Sequence, residues 1–155
     1  MRYVLLDRIT ALEPPDRARG VKCVSLSDDI FADHFPGHPV MPGALVIESL
    51  AQLGGVLCEA TMRLQGRNDL HALLAAIERA KFRRMVRPGD RLELEASALR
   101  VQEAGGQVRA TAHLDGQLAV EADLTFAFAE VKHEKLIQRR REVLNVWLHG
   151  SAEEP

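Results

Sequence analysis

Large rings are scarce in this chain: Phe, Trp and Tyr make up only 5% of it, so the core has to be filled by Ala, Val and Leu, as in tightly packed helix-on-sheet layers. Cysteine is scarcer still. The two thiols, Cys23 and Cys58, each adjoin an apolar residue, Val24 and Leu57, and two cysteines make no disulfide framework, so they read as reduced, packed side chains. No metal-ligand spacing joins them. An excess of positive charge is also missing, and a formal net charge of -2 excludes a whole-domain nucleic-acid footprint. The opening "MRYVLLDRITALEPPDR" offers four consecutive apolar residues, Tyr3 to Leu6, before Asp7, too short a run for a secretory leader. A cytoplasmic location is therefore expected. Val40 to Leu57 approaches membrane-spanning length, but Pro42, Gly43, Glu48, Gln52 and the Gly54, Gly55 pair predict a buried helix and no membrane span. Internal repeats and low-complexity blocks are absent, and 155 residues fit one domain with a genuine core.

What is present reads in order. Arg2 to Thr10 and Arg19 to Leu26 are expected as strands separated by the turn signal "EPPDRARG". Prolines and glycines from Pro36 to Gly43 forbid regular helix, so 33–41 is an ordered loop feeding a helix with Pro42 at or near its first position. That helix is expected to end at Leu64 or Gln65. The stretch "LHALLAAIERAKFRRMV", ending at Val86, is taken as strand from its place between a helix stop and the "RPGD" turn. Then "RLELEASALRV", "GQVRATAHL" and "GQLAVEADLTFAFAEV" form an antiparallel meander broken by "EAGG" and "DG" turns. The last segment, 131–155, alternates basic and apolar residues at helical spacing and is expected as an amphipathic helix to Gly150 with a frayed acidic tail. A single apolar helix wrapped by one curved antiparallel sheet satisfies this order, an α+β arrangement in which Ala44, Ala51, Gly54 and Gly55 let the sheet come close.

Within "FADHFPGHPVMPGALVIESLAQLGGVL" one carboxylate, Glu48, interrupts the apolar helix. Gln52 lies four residues on, shares its face, and is placed to hydrogen-bond the acid. Set among Leu45, Val46, Ile47 and Leu50, Glu48 is expected to be desolvated, which favours a held, donatable proton. His34 heads a loop stiffened by prolines and glycines, which is how an acid/base side chain is fixed in advance. The Gly43 amide, at a helix N-terminus, points outward along the favourable end of the helix dipole and can stabilise an oxyanion.

These residues carry a resemblance. "DHFPGHPVMPGALVIESLAQ" resembles the active-site signature of the 3-hydroxyacyl-[acyl-carrier-protein] dehydratases of the FabZ type, "AKFRRMVRPGDRLELEA" resembles that family's second recurring stretch, and "YVLLDRI" also matches. The resemblance implies a hotdog fold over 1–130, with 131–155 as a basic helical extension of the same domain. It implies active sites at a dimer interface and a homodimer or trimer of dimers. It makes His34 the base, Glu48 the acid contributed by the neighbouring subunit, and Gln52 the group that orients Glu48. The Gly43 amide would hold the thioester carbonyl and the Val40 carbonyl would hold the His34 ring. The related FabA type carries Asp where this chain has Glu48. The implied reaction removes water from a (3R)-3-hydroxyacyl chain on acyl carrier protein to give the trans-2-enoyl product, with no cofactor and no metal. Asp33 departs from the family, which commonly has Gly before this histidine.

Other features take simpler readings. His38 follows His34 by four residues, but Pro36, Gly37 and Pro39 preclude the helix that would pair them on a metal. Arg83, Arg84 and Arg87 form a basic cluster that serves either as a solvated edge or as a docking patch for an acidic carrier protein. Two rival functions stay open: an acyl thioesterase, and a catalytically silent hotdog subunit that binds acyl carrier protein. Chain length and pathway, whether fatty-acid, lipopolysaccharide or secondary-metabolite, are not encoded in these motifs.

Overall fold

A computed structural model describes residues 2–150, 152 and 153. The elements are β1 (Arg8–Glu13), β2 (Arg17–Cys23), a 3-10 turn (Asp29–Ala32), α1 (Gly43–Leu64), β3 (Leu70–Phe82), β4 (Arg91–Gln102), β5 (Gly105–Leu114), β6 (Gln117–Glu130) and α2 (Glu134–His149). The strands form one antiparallel sheet in the order β1-β2-β4-β5-β6-β3. α1 lies across it, touching all six strands. This is the hotdog arrangement.

α1 is held by burial more than by intrinsic propensity. From Val46 to Met62 every residue is buried except Glu48 and Gln52, which are half-buried on one face. Leu50, Leu53 and Leu57 are fully enclosed against sheet residues such as Val108, Leu124 and Phe126. Each such side chain contributes about 1.5–3 kcal/mol relative to exposure. The sheet approaches closely because Gly54 lacks a side chain: a Cβ there would stand 3.0 Å from Val108 Cγ2. The buried hydroxyls of Ser49 and Thr61 are satisfied within the helix, by the carbonyls of Leu45 at 3.0 Å and Leu57 at 2.8 Å.

Several boundaries differ from the sequence expectation. β1 begins at Arg8, because residues 3–6 lie beside α1 instead of in the sheet; the Leu5 amide, for example, donates to a helix side chain. The first turn is only Pro14 to Asp16, and Gly20, read as a turn signal, sits inside β2, where a Cβ would meet the Arg8 carbonyl at 2.8 Å. β2 stops at Cys23, and Val24 bonds instead to the turn around Asp90. β3 ends at Phe82, short of Val86, and pairs with β6, so it lies at the opposite sheet edge from β1. Cys58 is buried as expected, but Cys23 at the end of β2 is exposed.

α2 is amphipathic as its sequence predicts, and most of the expected acidic tail lies outside the described residues. Its Trp147 is buried and donates its indole N–H to the Leu6 carbonyl at 2.7 Å. Arg140 stacks over that ring and reaches the buried Glu59 of α1 at 3.2 Å.

Candidate active site

The loop before α1 is built from residues that limit its choices. Pro36 and Pro39 fix φ and lack donors, while Gly37 adopts φ 71°, a conformation side chains disfavour. Reciprocal backbone bonds between Phe35 and His38 (3.2 and 2.9 Å), Val40 N–H to the His34 carbonyl (3.0 Å) and Met41 N–H to the Val86 carbonyl (2.8 Å) pin it. The His34 ring donates Nδ1–H to the Val40 carbonyl at 2.6 Å. Since a carbonyl only accepts, the proton sits on Nδ1 and the Nε2 lone pair is left for chemistry. Phe35 stacks on the same ring with centroids 4.1 Å apart.

His34 lines a cavity of about 510 Å³ together with Val40, Gly43, Phe82, Val86 and Val120. Gly43 opens α1 here, and a Cβ on it would fall 2.5 Å from the Phe82 ring. Glycine is what lets Phe82 close over the helix start. As the first helical residue, Gly43 has an amide with no carbonyl one turn back in α1, at the positive end of the dipole.

Glu48 and Gln52 form a second cluster. Gln52 donates Nε2–H to Glu48 Oε1 at 3.0 Å and to the Tyr3 carbonyl at 3.3 Å, while its own Oε1 accepts the Leu5 amide at 2.9 Å. Reversing the amide would set donor against donor at Leu5, so only one orientation serves Glu48. The Tyr3 phenol is raised above its usual value, first by the charge of Glu48, then by burial and by its polar interaction with that carboxylate. Glu48 itself is half-buried, less enclosed than its apolar sequence neighbours led one to expect.

Within one chain these clusters stay apart. The cavity lined by His34 and Gly43 includes neither Glu48 nor Gln52. Of the basic trio, Arg83 and Arg84 stand on its rim, with Arg83 paired to Glu121 at 2.9 Å. Arg87 is separate, in the turn closed by its own amide on Asp90 Oδ2 at 2.8 Å. Asp33 is exposed and takes an ordinary right-handed helical backbone (φ −107°, ψ −24°), so the backbone demands no glycine there. No group of three metal-ligating side chains occurs among the described residues.

The FabA-like domain model matches residues 1–128. The chain belongs to that family. It is 43% identical over 128 residues to the 3-hydroxyacyl-[acyl-carrier-protein] dehydratase FabZ of Bacillus velezensis, covering 83% of this chain and 89% of that one. The FabZ of Clostridium acetobutylicum is 45% identical over 123 residues, covering 79% and 85%. A solved structure, the dehydratase heterocomplex ApeI:P from Xenorhabdus doucetiae, superposes with TM-score 0.68 at 18% identity over 89% of this chain and 90% of that one. A thioesterase from Haemophilus influenzae follows with TM-score 0.61 at 16% identity over 81% and 80%. These two establish the hotdog fold alone.

Sequence reasoning placed the His34 loop and the Glu48, Gln52 pair but assigned no role to Tyr3 or Leu5. Their contacts to Gln52 bridge 49 and 47 residues. The one available signal was "YVLLDRI", which matched the family without indicating what it touches.

Proposed function

We propose that this FabA-like protein dehydrates (3R)-3-hydroxyacyl chains on acyl carrier protein to the trans-2-enoyl thioesters, in fatty-acid or related acyl-chain biosynthesis. The observation that carries the chemistry is the 2.6 Å bond from His34 Nδ1 to Val40, which leaves Nε2 free of that partner on a residue that lines an apolar cavity together with Gly43. In our reading Nε2 removes a proton from C2, the Gly43 amide stabilises charge at the thioester oxygen, and Glu48 protonates the departing C3 hydroxyl, which leaves as water. The C2–H electron pair becomes the new double bond. Atoms and charge balance without a cofactor.

Because the His34 cavity does not include Glu48, we assign the acid to a neighbouring subunit of a homodimer. β3 supports that assembly: it ends the sheet, is 13 residues long, and leaves Leu73, Leu74 and Ile77 exposed, a template for pairing with a second copy. Arg83 and Arg84, on the cavity rim, would meet an acidic carrier delivering the acyl chain, with Arg87 as a more distant contribution. We take 1–130 as the dehydratase domain, 131–155 as its extension, and the cytoplasm as its place. The thioesterase and silent-subunit readings are not favoured, since the FabZ relatives match over most of the chain.

Ultraviolet detection of enoyl-thioester from 3-hydroxyacyl-carrier substrates of graded length tests the reading, with His34→Ala and Glu48→Gln alongside. Both variants should lose roughly two or more orders of magnitude in rate while remaining folded. A wild-type protein inert on every chain, or a fully active variant, would refute the corresponding assignment.

A further inference from the structure

α2 lies outside the region matched by the family model, which ends at residue 128, yet it is tied to the segment that orients the proposed acid. The connection is a series of direct hydrogen bonds. Trp147 Nε1–H donates to the Leu6 carbonyl at 2.7 Å; the Leu5 amide, one residue earlier, donates to Gln52 Oε1 at 2.9 Å; Gln52 Nε2–H donates to Glu48 Oε1 at 3.0 Å. Residues 3–6 precede the sheet and are not part of a strand, so these bonds take the place of a ladder. The indole is itself held. Arg140 stacks on it at 5.6 Å and pairs with Glu59, a 3% exposed carboxylate that also accepts the Ala72 amide at 3.0 Å. α2 is therefore fixed at one point to α1 and at another to the N-terminal segment, with Tyr3, Val4, Gln52 and Leu136 bordering the gap between them.

We propose that α2 is a strap that positions Glu48: Trp147 and Arg140 hold residues 3–6 against α1, and through Leu5 and Gln52 they fix the direction in which the carboxyl presents its proton. The inference rests on Glu48 being the acid. Trp147 and Arg140 touch no substrate and are positioning residues. Loss of the strap leaves the histidine cavity intact, so turnover falls while substrate affinity does not.

The test uses the full chain carrying Trp147→Phe, which keeps a ring in place and removes the indole N–H. In the wild type the Leu5 amide should be protected from hydrogen exchange despite lying near the terminus. In the variant its exchange should accelerate about tenfold and kcat fall roughly tenfold, with KM changed less than about twofold. Arg140→Met, which keeps the aliphatic stem, should move both readouts the same way and serves if the first variant does not fold. An unprotected Leu5 amide in the wild type overturns the strap outright. So does a folded variant with faster Leu5 exchange and wild-type kcat, provided Glu48→Gln is inactive. If Glu48→Gln keeps full activity, the acid assignment fails by itself, and the strap is judged on Leu5 exchange alone.

Discussion

A ring nitrogen becomes a dependable base when its twin is committed elsewhere, and for His34, the base of the proposed mechanism, the Val40 carbonyl makes that commitment through the main chain. Asp33 beside it is exposed with an ordinary backbone, so its charge is not built into the site. Asp33→Gly should accordingly leave kcat/KM within about threefold of wild type in the enoyl assay; a loss of two orders would show that the aspartate has been recruited. The cysteines make a second residue-scale prediction. Burial first, and the charge of Glu59 second, push the Cys58 thiol up from 9.0 to about 12. A folded value above the unfolded one means that its contribution to stability is intact below about pH 9 and is lost as the pH climbs toward 12. At pH 8, iodoacetamide should therefore give one adduct on the native protein, at exposed Cys23, and two after unfolding, read by intact mass. A second adduct on native protein would contradict the packing. What was legible at this scale was local: Glu48 and Gln52 are one turn apart, and the His34 loop announces itself by its prolines. Cys23 is exposed although Val24 beside it is apolar, because a single apolar neighbour does not decide which side of a strand end faces solvent.

At the scale of elements, α1 was readable because a long, mostly apolar run as far as Leu57, interrupted only by Glu48, Ser49 and Gln52, leaves few alternatives to a helix wrapped by sheet. The meander β4-β5-β6 was readable because short Gly turns force neighbouring strands to pair. The beginning of β1 and the edge position of β3 were not, since both depend on contacts distant in sequence: Leu5 with Gln52, and β3 with β6. The glycine pair in α1 separates packing from propensity. A Cβ at Gly54 would stand 3.0 Å from Val108 and 3.3 Å from Phe126, whereas at Gly55 the nearest atoms are at 3.6 and 3.7 Å, ordinary contact. Gly55→Ala should stabilise the protein by about 0.5–1 kcal/mol through reduced backbone entropy of the unfolded chain. Gly54→Ala should be destabilising by about 1 kcal/mol or more, because Val108 and Phe126 must give way in a packed layer. Denaturant midpoints at constant slope decide the pair, and equal effects would mean that the sheet does not lean on Gly54.

For the whole molecule, the decisive feature is that the His34 cavity and the Glu48 cluster occupy different parts of one chain. On the proposed mechanism each chain carries two half-sites that a second copy would complete, and the exposed apolar edge of β3 offers a way to bring that copy in. The arrangement makes an arithmetic prediction. In a mixed dimer of His34→Ala with Glu48→Gln, one site combines both defects, and the other combines an intact His34 from one chain with an intact Glu48 from its partner. Random mixing puts half the dimers in the mixed form, so two inactive proteins, unfolded and refolded together, should recover about a quarter of wild-type activity. Refolded separately and then combined without exchange, they should stay inactive. Should co-refolding restore nothing while size measurements show mixed dimers, His34 and Glu48 act within a single chain, and the loop at 33–41 would have to move to reach Glu48.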